Sequence, residues 1–335
     1  MGLTSIERNE PTLGKRTELA LRNLLGKQEF TIIIPLLLVL AFFYWRNSAM
    51  LSHIAVTSIL RTMAFPALIG MGLVQLMIAG EIDLSTGAVM SLSAVFSAKL
   101  MRDAGLPVPV AVMCALGVAL LIGLTNALLV VKVGIPAVIA TIGMSFIVRG
   151  VSYSFTNGLP IYPLPPEVAI IGSWRPLGLS FTFFLALGLC VVVQILLSWT
   201  RWGAVLFATG GNKVAAQVCG INTGLVKTIC FMLTSLLASM AGMLTMSQLP
   251  MTPGDPIIGR FLDLDVLAGV IIGGVSFFGG RGSAVGAFVG ILFIQVVRSG
   301  IVIGHFDSYL QQPVLGFLLM IAAGADVIRH RRNVA

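Results

Sequence analysis

Charge is what this sequence has least of. Asp, Glu, Lys and Arg make up 10% of its 335 residues, against 57% apolar residues and a mean hydropathy of +1.00. A soluble globular chain carries about 25% charged residues. A chain this poor in charge cannot cover itself with polar surface, so its apolar exterior faces lipid. Histidine is scarce as well. His53, His305 and His330 are scattered, with no spacing suited to a metal site or a catalytic triad, and enzymatic activity of this chain is not expected. The cysteines, Cys114, Cys190, Cys219 and Cys230, show no C-x-x-C spacing and read as packing residues. The Gly-Lys-Ser/Thr of a phosphate-binding loop occurs nowhere. Gly280-Arg-Gly-Ser-Ala-Val-Gly286 is rich in glycine but lacks that lysine, and it lies between two apolar runs. It reads as a tight turn with close helix packing.

What is present is a series of apolar runs. Ten stretches contain no Asp, Glu, Lys or Arg and read as membrane spans: 30–45, 62–80, 84–98, 104–131, 133–148, 176–200, 228–254, 266–280, 282–297 and 308–325. A span needs roughly 20 residues, fewer where an edge charge snorkels to the interface, so the shorter runs must borrow flanking residues. The charge-free stretch 150–166 is excluded, because Asn157, Gly158, Pro160, Pro163, Pro165 and Pro166 are loop residues. The N-terminus has mixed charge and no small-residue cleavage site after the first run, so that run is expected to be retained.

The net charge of +8 does not point to nucleic acid, because its distribution follows the membrane. With the N-terminus in the cytoplasm, the cytoplasmic segments hold Arg8, Lys15, Arg16, Arg22, Lys27, Lys132, Arg201, Lys213, Lys227, Arg281, Arg329, Arg331 and Arg332 out of 21 Lys and Arg. This is the positive-inside bias, and it fits an even number of spans with both termini inside. The expected organisation is a cytoplasmic lead-in over 1–29, one transmembrane domain over 30–328 and a cytoplasmic tail over 329–335. The largest external loop falls near 153–178 and the largest cytoplasmic segment near 200–226.

Three segments carry polar chemistry. Gly80-Glu81-Ile82-Asp83-Leu84-Ser85-Thr86-Gly87 puts two carboxylates and two hydroxyls between apolar runs, where an acid costs several kcal/mol unless paired or wetted. Ser85 and Thr86 read as N-caps of the next helix, with Asp83 near its positive end. The segment is a structural cap and re-entrant turn, or it lines or gates a polar route; both readings stay open. Arg149-Gly150 closes an apolar run and is followed by Asn157-Gly-Leu-Pro-Ile161. Arg149 reads as an interfacial anchor, or as part of the path or of a partner contact. Third, Gly210-Gly211-Asn212-Lys213-Val214-Ala215-Ala216-Gln217-Val218-Cys219-Gly220-Ile221 predicts a short helix capped by Asn212 and ended by Gly220. Its small residues suit docking into a groove on another protein.

Together these motifs resemble the permeases of the ribose-type sugar ABC importers. Glu81-Ile-Asp-Leu-Ser85, Thr141-x-Gly with Arg149-Gly150 and Gly158-x-Pro-Ile161, Gly210-Gly-Asn-x-x-Ala-Ala with Gly220-Ile221, and Asp263-Leu through Ile272-Gly-Gly-Val-Ser-Phe-Phe-Gly-Gly280 follow that family's order and spacing over about residues 55 to 328. Glu81 departs from the usual glycine, Ser299 from asparagine and Cys219 from serine. The resemblance implies an all-α integral membrane fold like that of type II ABC importer permeases, with about ten transmembrane helices and both termini cytoplasmic, in a bacterial inner (plasma) membrane. It implies import of a monosaccharide with three partners: a periplasmic sugar-binding protein, a second permease subunit that is identical or paralogous, and a cytoplasmic ATP-binding subunit that uses ATP and Mg. No cofactor is expected on this chain. Gly211, Asn212, Ala215, Ala216, Gly220 and Ile221 would form the helix that couples to the ATPase, with Glu81, Asp83, Ser85, Arg149 and Asn157 on the translocation path or its gate. A branched-chain amino-acid ABC permease and an ion-coupled secondary transporter are the alternatives.

Overall fold

The computed structural model describes residues 32–248 and 262–334. The lead-in expected over 1–29 and the end of the run expected to reach 254 lie outside the described residues. Within them the chain is all helix, with no strand. In chain order the helices are α1 (Ile33–Arg46), α2 (His53–Ile78), α3 (Thr86–Asp103), α4 (Val108–Leu128, continued by a π-turn to Val133), α5 (Ala137–Thr156) and α6 (Phe181–Trp199). They continue as α7 (Arg201–Gly211), α8 (Lys213–Val218), α9 (Thr223–Gln248), α10 (Leu262–Ile272), α11 (Ala284–Ile303) and α12 (Gln311–Val334).

Seven segments are long and apolar enough to cross a membrane: α2, α4 with its π-turn, α5, α6, α9, α11 and Ser308–Ile328, which holds most of α12. A shorter apolar helix, α1, has 14 residues. The runs expected at 84–98 and 266–280 take a different form. α3 carries Lys99, Arg102 and Asp103 in its last turns. α10 stops after 11 residues at Ile272 and gives way to the glycine turn. Both are broken helices, started or ended inside the apolar body.

The spanning windows of α9, α11 and α2 are 67%, 61% and 56% buried, against 6% for that of α12, so the first three form the centre. α9 lies between α2 and α4 and also packs on α3. Glycine permits this. A Cβ at Gly72 would sit 2.7 Å from the Thr234 Cα, and one at Gly123 would sit 2.8 Å from the Phe231 carbonyl oxygen. Close backbone approach of this kind holds membrane helices together where lipid gives no hydrophobic drive. The main core runs from Met63 to Ala79 along α2 and takes in Phe231 and Ile291. Outward faces remain apolar, with Phe146 73%, Met320 67% and Trp199 85% exposed, as a lipid-facing surface requires. Cys190 and Cys230 are buried as packing residues, but Cys114 and Cys219 are exposed, so the packing role expected of all four holds for two.

One end of the bundle gathers the ends of α2 and α7 with the turn before α11. The Gly280 N–H donates to the Ile78 carbonyl at 2.9 Å, and a Cβ at Gly210 would overlap that same carbonyl. Trp202 Nε1 donates to Gln75 Oε1 at 2.9 Å, tying α7 to α2. Asp326 of α12 accepts from Ser276 Oγ at 3.0 Å and the Phe277 N–H at 2.8 Å, which fixes the glycine turn. The opposite end carries the loop after α5. A single helical turn there, Ala169–Ser173, packs against α9, and Trp174 stacks on Phe181 with ring centroids 4.6 Å apart.

Candidate functional site

After Ile78 the chain leaves the Gly210 end in extended form and re-enters a helix at Thr86. This segment is pinned from several sides. The Leu84 N–H donates to Thr141 Oγ1 of α5 at 3.1 Å. Asn126 Nδ2 of α4 donates to Ser85 Oγ at 2.9 Å. Asp83 is fully buried and accepts from both the Ser85 N–H at 2.8 Å and Ser85 Oγ at 2.6 Å. Ser85 therefore turns back to Asp83 and makes no capping bond to α3, contrary to the expectation for it and Thr86.

The capping acid comes from the other half of the chain. Asp263, in the first turn of α10, accepts from the Gly87 N–H and from Thr86 Oγ1, the latter at 3.0 Å. Its second oxygen meets Arg149 Nη2 of α5 at 3.0 Å. The start of α3 thus meets α10 inside the apolar body, and a carboxylate offsets the positive helix end while a guanidinium offsets the carboxylate. Arg149 is 20% exposed, so it is an interior ion-pair partner rather than a snorkelling anchor.

Two further ion pairs lie inside. Asp265, two residues on, meets Arg298 Nη2 of α11 at 2.6 Å. Glu81 meets Lys227 Nζ of α9 at 2.5 Å, with side chains 18% and 11% exposed. An intramembrane ionisable residue with a named partner marks a functional position. Sequence reasoning found Glu81 and Arg149 but missed Asp265, Arg298 and Lys227. The available signal was Arg298 alone within the apolar stretch that forms α11.

The Asp265–Arg298 pair borders a cavity of about 480 Å³ between α2 and α11. Asp265 and Arg298 line it with Ser58, Thr62, Gln295 and Ser299, and Ile59, Phe65 and Ile291 supply apolar wall. Gln295 Nε2 donates to Thr62 Oγ1 at 2.8 Å across the gap. Of the path residues named from the sequence, none lines this cavity. Asp83, Ser85 and Arg149 belong to the network around Asp263, Glu81 pairs with Lys227, and Asn157 ends α5 in the left-handed conformation (φ 50°).

The segment expected to dock another protein forms α8. Asn212 caps it, accepting from the Ala215 N–H at 3.0 Å, and Gly220 leaves it in the left-handed conformation (φ 82°). Ala216 turns inward and is 4% exposed, whereas Val214 and Val218, one turn apart, are 70% and 83% exposed. Gly211, Asn212, Ala215 and Gly220 are exposed and Ile221 is half-buried. The free face of α8 is therefore the valine face. Gln217 Nε2 donates to Thr223 Oγ1 at 3.2 Å, linking α8 to the start of α9, four residues before Lys227.

Helices wrapped around buried ion pairs, a polar cavity and an apolar outer surface define a multi-pass membrane transport subunit. A family model described as branched-chain amino acid transport system / permease component matches residues 55–323. The ribose import permease protein of Escherichia coli is 31% identical over 274 residues, covering 80% of this chain and 84% of that protein. The galactose/methyl galactoside import permease protein of the same organism is 28% identical over 327 residues, covering 91% and 96%. The xylose/arabinose import permease protein of Sulfolobus acidocaldarius is 30% identical over 305 residues, covering 89% and 85%. No solved structure matches. The chain belongs to this family of ABC importer permeases and groups with the ribose-type members. It is a multi-pass inner-membrane protein.

Proposed function

We propose that this chain forms the translocation pathway of an ATP-driven importer of a monosaccharide, together with a second permease subunit. The observation that carries the reading is the meeting of α3 and α10 at Asp263, which closes the start of α3 and pairs with Arg149 among buried residues. Broken helices that meet inside a bundle are how transporters bring polar groups to the middle of the membrane. The sugar names of the relatives favour a sugar over the branched-chain amino acid in the family description. Seven segments are long enough to span; with α1 and the two broken helices α3 and α10 beside them the reading keeps ten spans, and the positive-inside bias favours a cytoplasmic Gly210 end and cytoplasmic termini. The loop after α5 then faces the periplasm and receives a sugar-binding protein.

The chain binds no cofactor, and ATP with its Mg is used on a separate subunit that docks on α8. Val214 and Val218 are the contact, and Asn212 and Gly220 set the helix ends. ATPase closure would move α8 and, through Gln217–Thr223, the start of α9. The bundle then shifts between two packings, with Asp83, Ser85 and Arg149 in the gate. Val218→Asp tests this in the assembled importer. The expected result is loss of the ATP-binding subunit on purification and loss of sugar uptake. Retention of both at wild-type level rejects docking on α8.

A further inference from the structure

We infer that the cavity between α2 and α11 is the seat of a neutral, polyhydroxylated solute, held by Thr62, Gln295 and Ser299 above a floor made by the Asp265–Arg298 pair. The inference rests on the transport reading given above and names where in the chain the solute sits. The volume of about 480 Å³ is that of a small-molecule site, roughly 300–1,000 Å³.

The polar side of the cavity is built in register. Ser58 and Thr62 are one turn apart on α2, and Gln295 and Ser299 are one turn apart on α11. The Gln295 amide spans the two helices, donating to Thr62 Oγ1 at 2.8 Å and to Ser299 Oγ at 3.5 Å. Thr62 Oγ1 gives its own hydrogen to the Ser58 carbonyl at 2.9 Å. This orients the amide so that Gln295 Oε1 and the hydroxyls of Ser58 and Ser299 are left for a solute. They are hydrogen-bonding groups without charge.

The two charges at the floor are spent on each other at 2.6 Å. A closed pair offers no net charge to a solute, and a zwitterion would have to break it before its own charges could pair with either ion. Sugar hydroxyls, which both donate and accept, match neutral amide and hydroxyl groups. Ile59 and Phe65, beside Ser58 and Thr62 on α2, add an apolar surface against which the C–H face of a sugar ring packs.

The cavity occupies only one half of the bundle. Below it α10 and α11 close together, since a Cβ at Gly290 would overlap the Gly269 carbonyl and one at Gly273 would overlap that of Gly286. Ser58 is also shared with a smaller recess of about 320 Å³ beside His53, Arg61 and Arg175. The lining of the seat runs from Ile291 to Ala55 and Gln311, toward the end opposite Gly210, and the α10–α11 contact lies on its other side.

The test is ATP-dependent uptake by the complete importer in proteoliposomes, with radiolabelled ribose, galactose, xylose and leucine as probes. Each complex is first checked for retention of its ATP-binding subunit. Uptake of at least one sugar and not of leucine is expected. Gln295→Leu and Thr62→Val should lower that uptake by about tenfold or more, and Ser299→Phe, which fills the space, should reduce it to background. Sugar uptake at the wild-type rate in both Gln295→Leu and Ser299→Phe overturns the seat while leaving the transport reading in place. Uptake of leucine alone, or of none of the probes, by the unaltered importer overturns both.

Discussion

The backbone N–H of Gly87 donates to the carboxylate of Asp263, 176 residues further along the chain. The same carboxylate meets Arg149 at 3.0 Å. One side chain thus satisfies an orphan donor at the start of α3, neutralises that helix end and pairs with a guanidinium on α5.

Asp263→Asn removes the carboxylate charge that Arg149 meets at 3.0 Å. Breaking such a pair from one side costs about 3–5 kcal/mol. Arg149→Met should cost a similar amount, because the carboxylate is then stranded. The double variant should lose clearly less than the sum of the two, since neither charge is left alone. Thermal unfolding in detergent, read as a double-mutant cycle, measures this. Additive losses would mean that the two side chains do not support each other.

The seven segments long enough to span were legible because lipid demands long charge-free runs, and such runs are a local property of sequence. Helix α8 was legible for a similar reason: Asn212 and Gly220 are local start and stop residues. Which face of α8 stays free was not. Ala216 is buried because of what α8 packs on, and that is set by the fold. The cap of α3 was misread because Ser85 and Thr86 are good local caps, yet a carboxylate from the distant α10 took the place. Asp265–Arg298 and Glu81–Lys227 escaped for the same reason. A pairing across 33 or 146 residues leaves no periodicity behind.

Glu81 and Lys227 make the second test. Both are mostly buried, and Lys227 lies four residues into α9, just past the contact with α8. Glu81→Gly should lower stability by up to about 3 kcal/mol because Lys227 loses its counter-charge. Glu81→Gly with Lys227→Leu should recover most of the loss. Melting temperatures of the purified permease decide it, and a double variant no more stable than the single would show that the pair is not what Glu81 contributes.

Cys219 reports sidedness. It is exposed just beyond α8, whereas Cys190 and Cys230 are buried, and the other exposed cysteine, Cys114 on α4, is first replaced by alanine. A membrane-impermeant maleimide should label Cys219 in inside-out vesicles and not in intact cells, and a bound ATP-binding subunit should protect it. Cys219→Ser should abolish the label. Labelling of Cys219 from outside would invert the proposed orientation.

Gly123 and Gly117 lie on α4 and separate two effects of glycine. In a helix, replacing glycine by alanine gains about 0.5–1 kcal/mol through backbone entropy alone. Gly117 shows only that effect, because a Cβ there meets nothing within 4 Å, and Gly117→Ala should hold or raise the melting temperature. At Gly123 the added Cβ would lie 2.8 Å from the Phe231 carbonyl oxygen and the Met232 Cα, and 2.9 Å from Ser235 Oγ. Two of those three atoms are backbone of α9, which is fixed on its other side by Thr234 against Gly72. The helix has nowhere to retreat, and overpacking of this kind costs about 1–3 kcal/mol. Gly123→Ala should therefore lower the melting temperature although it raises helix propensity. If both substitutions move the midpoint the same way, α4 and α9 are not held by backbone contact and the central position of α9 is wrong.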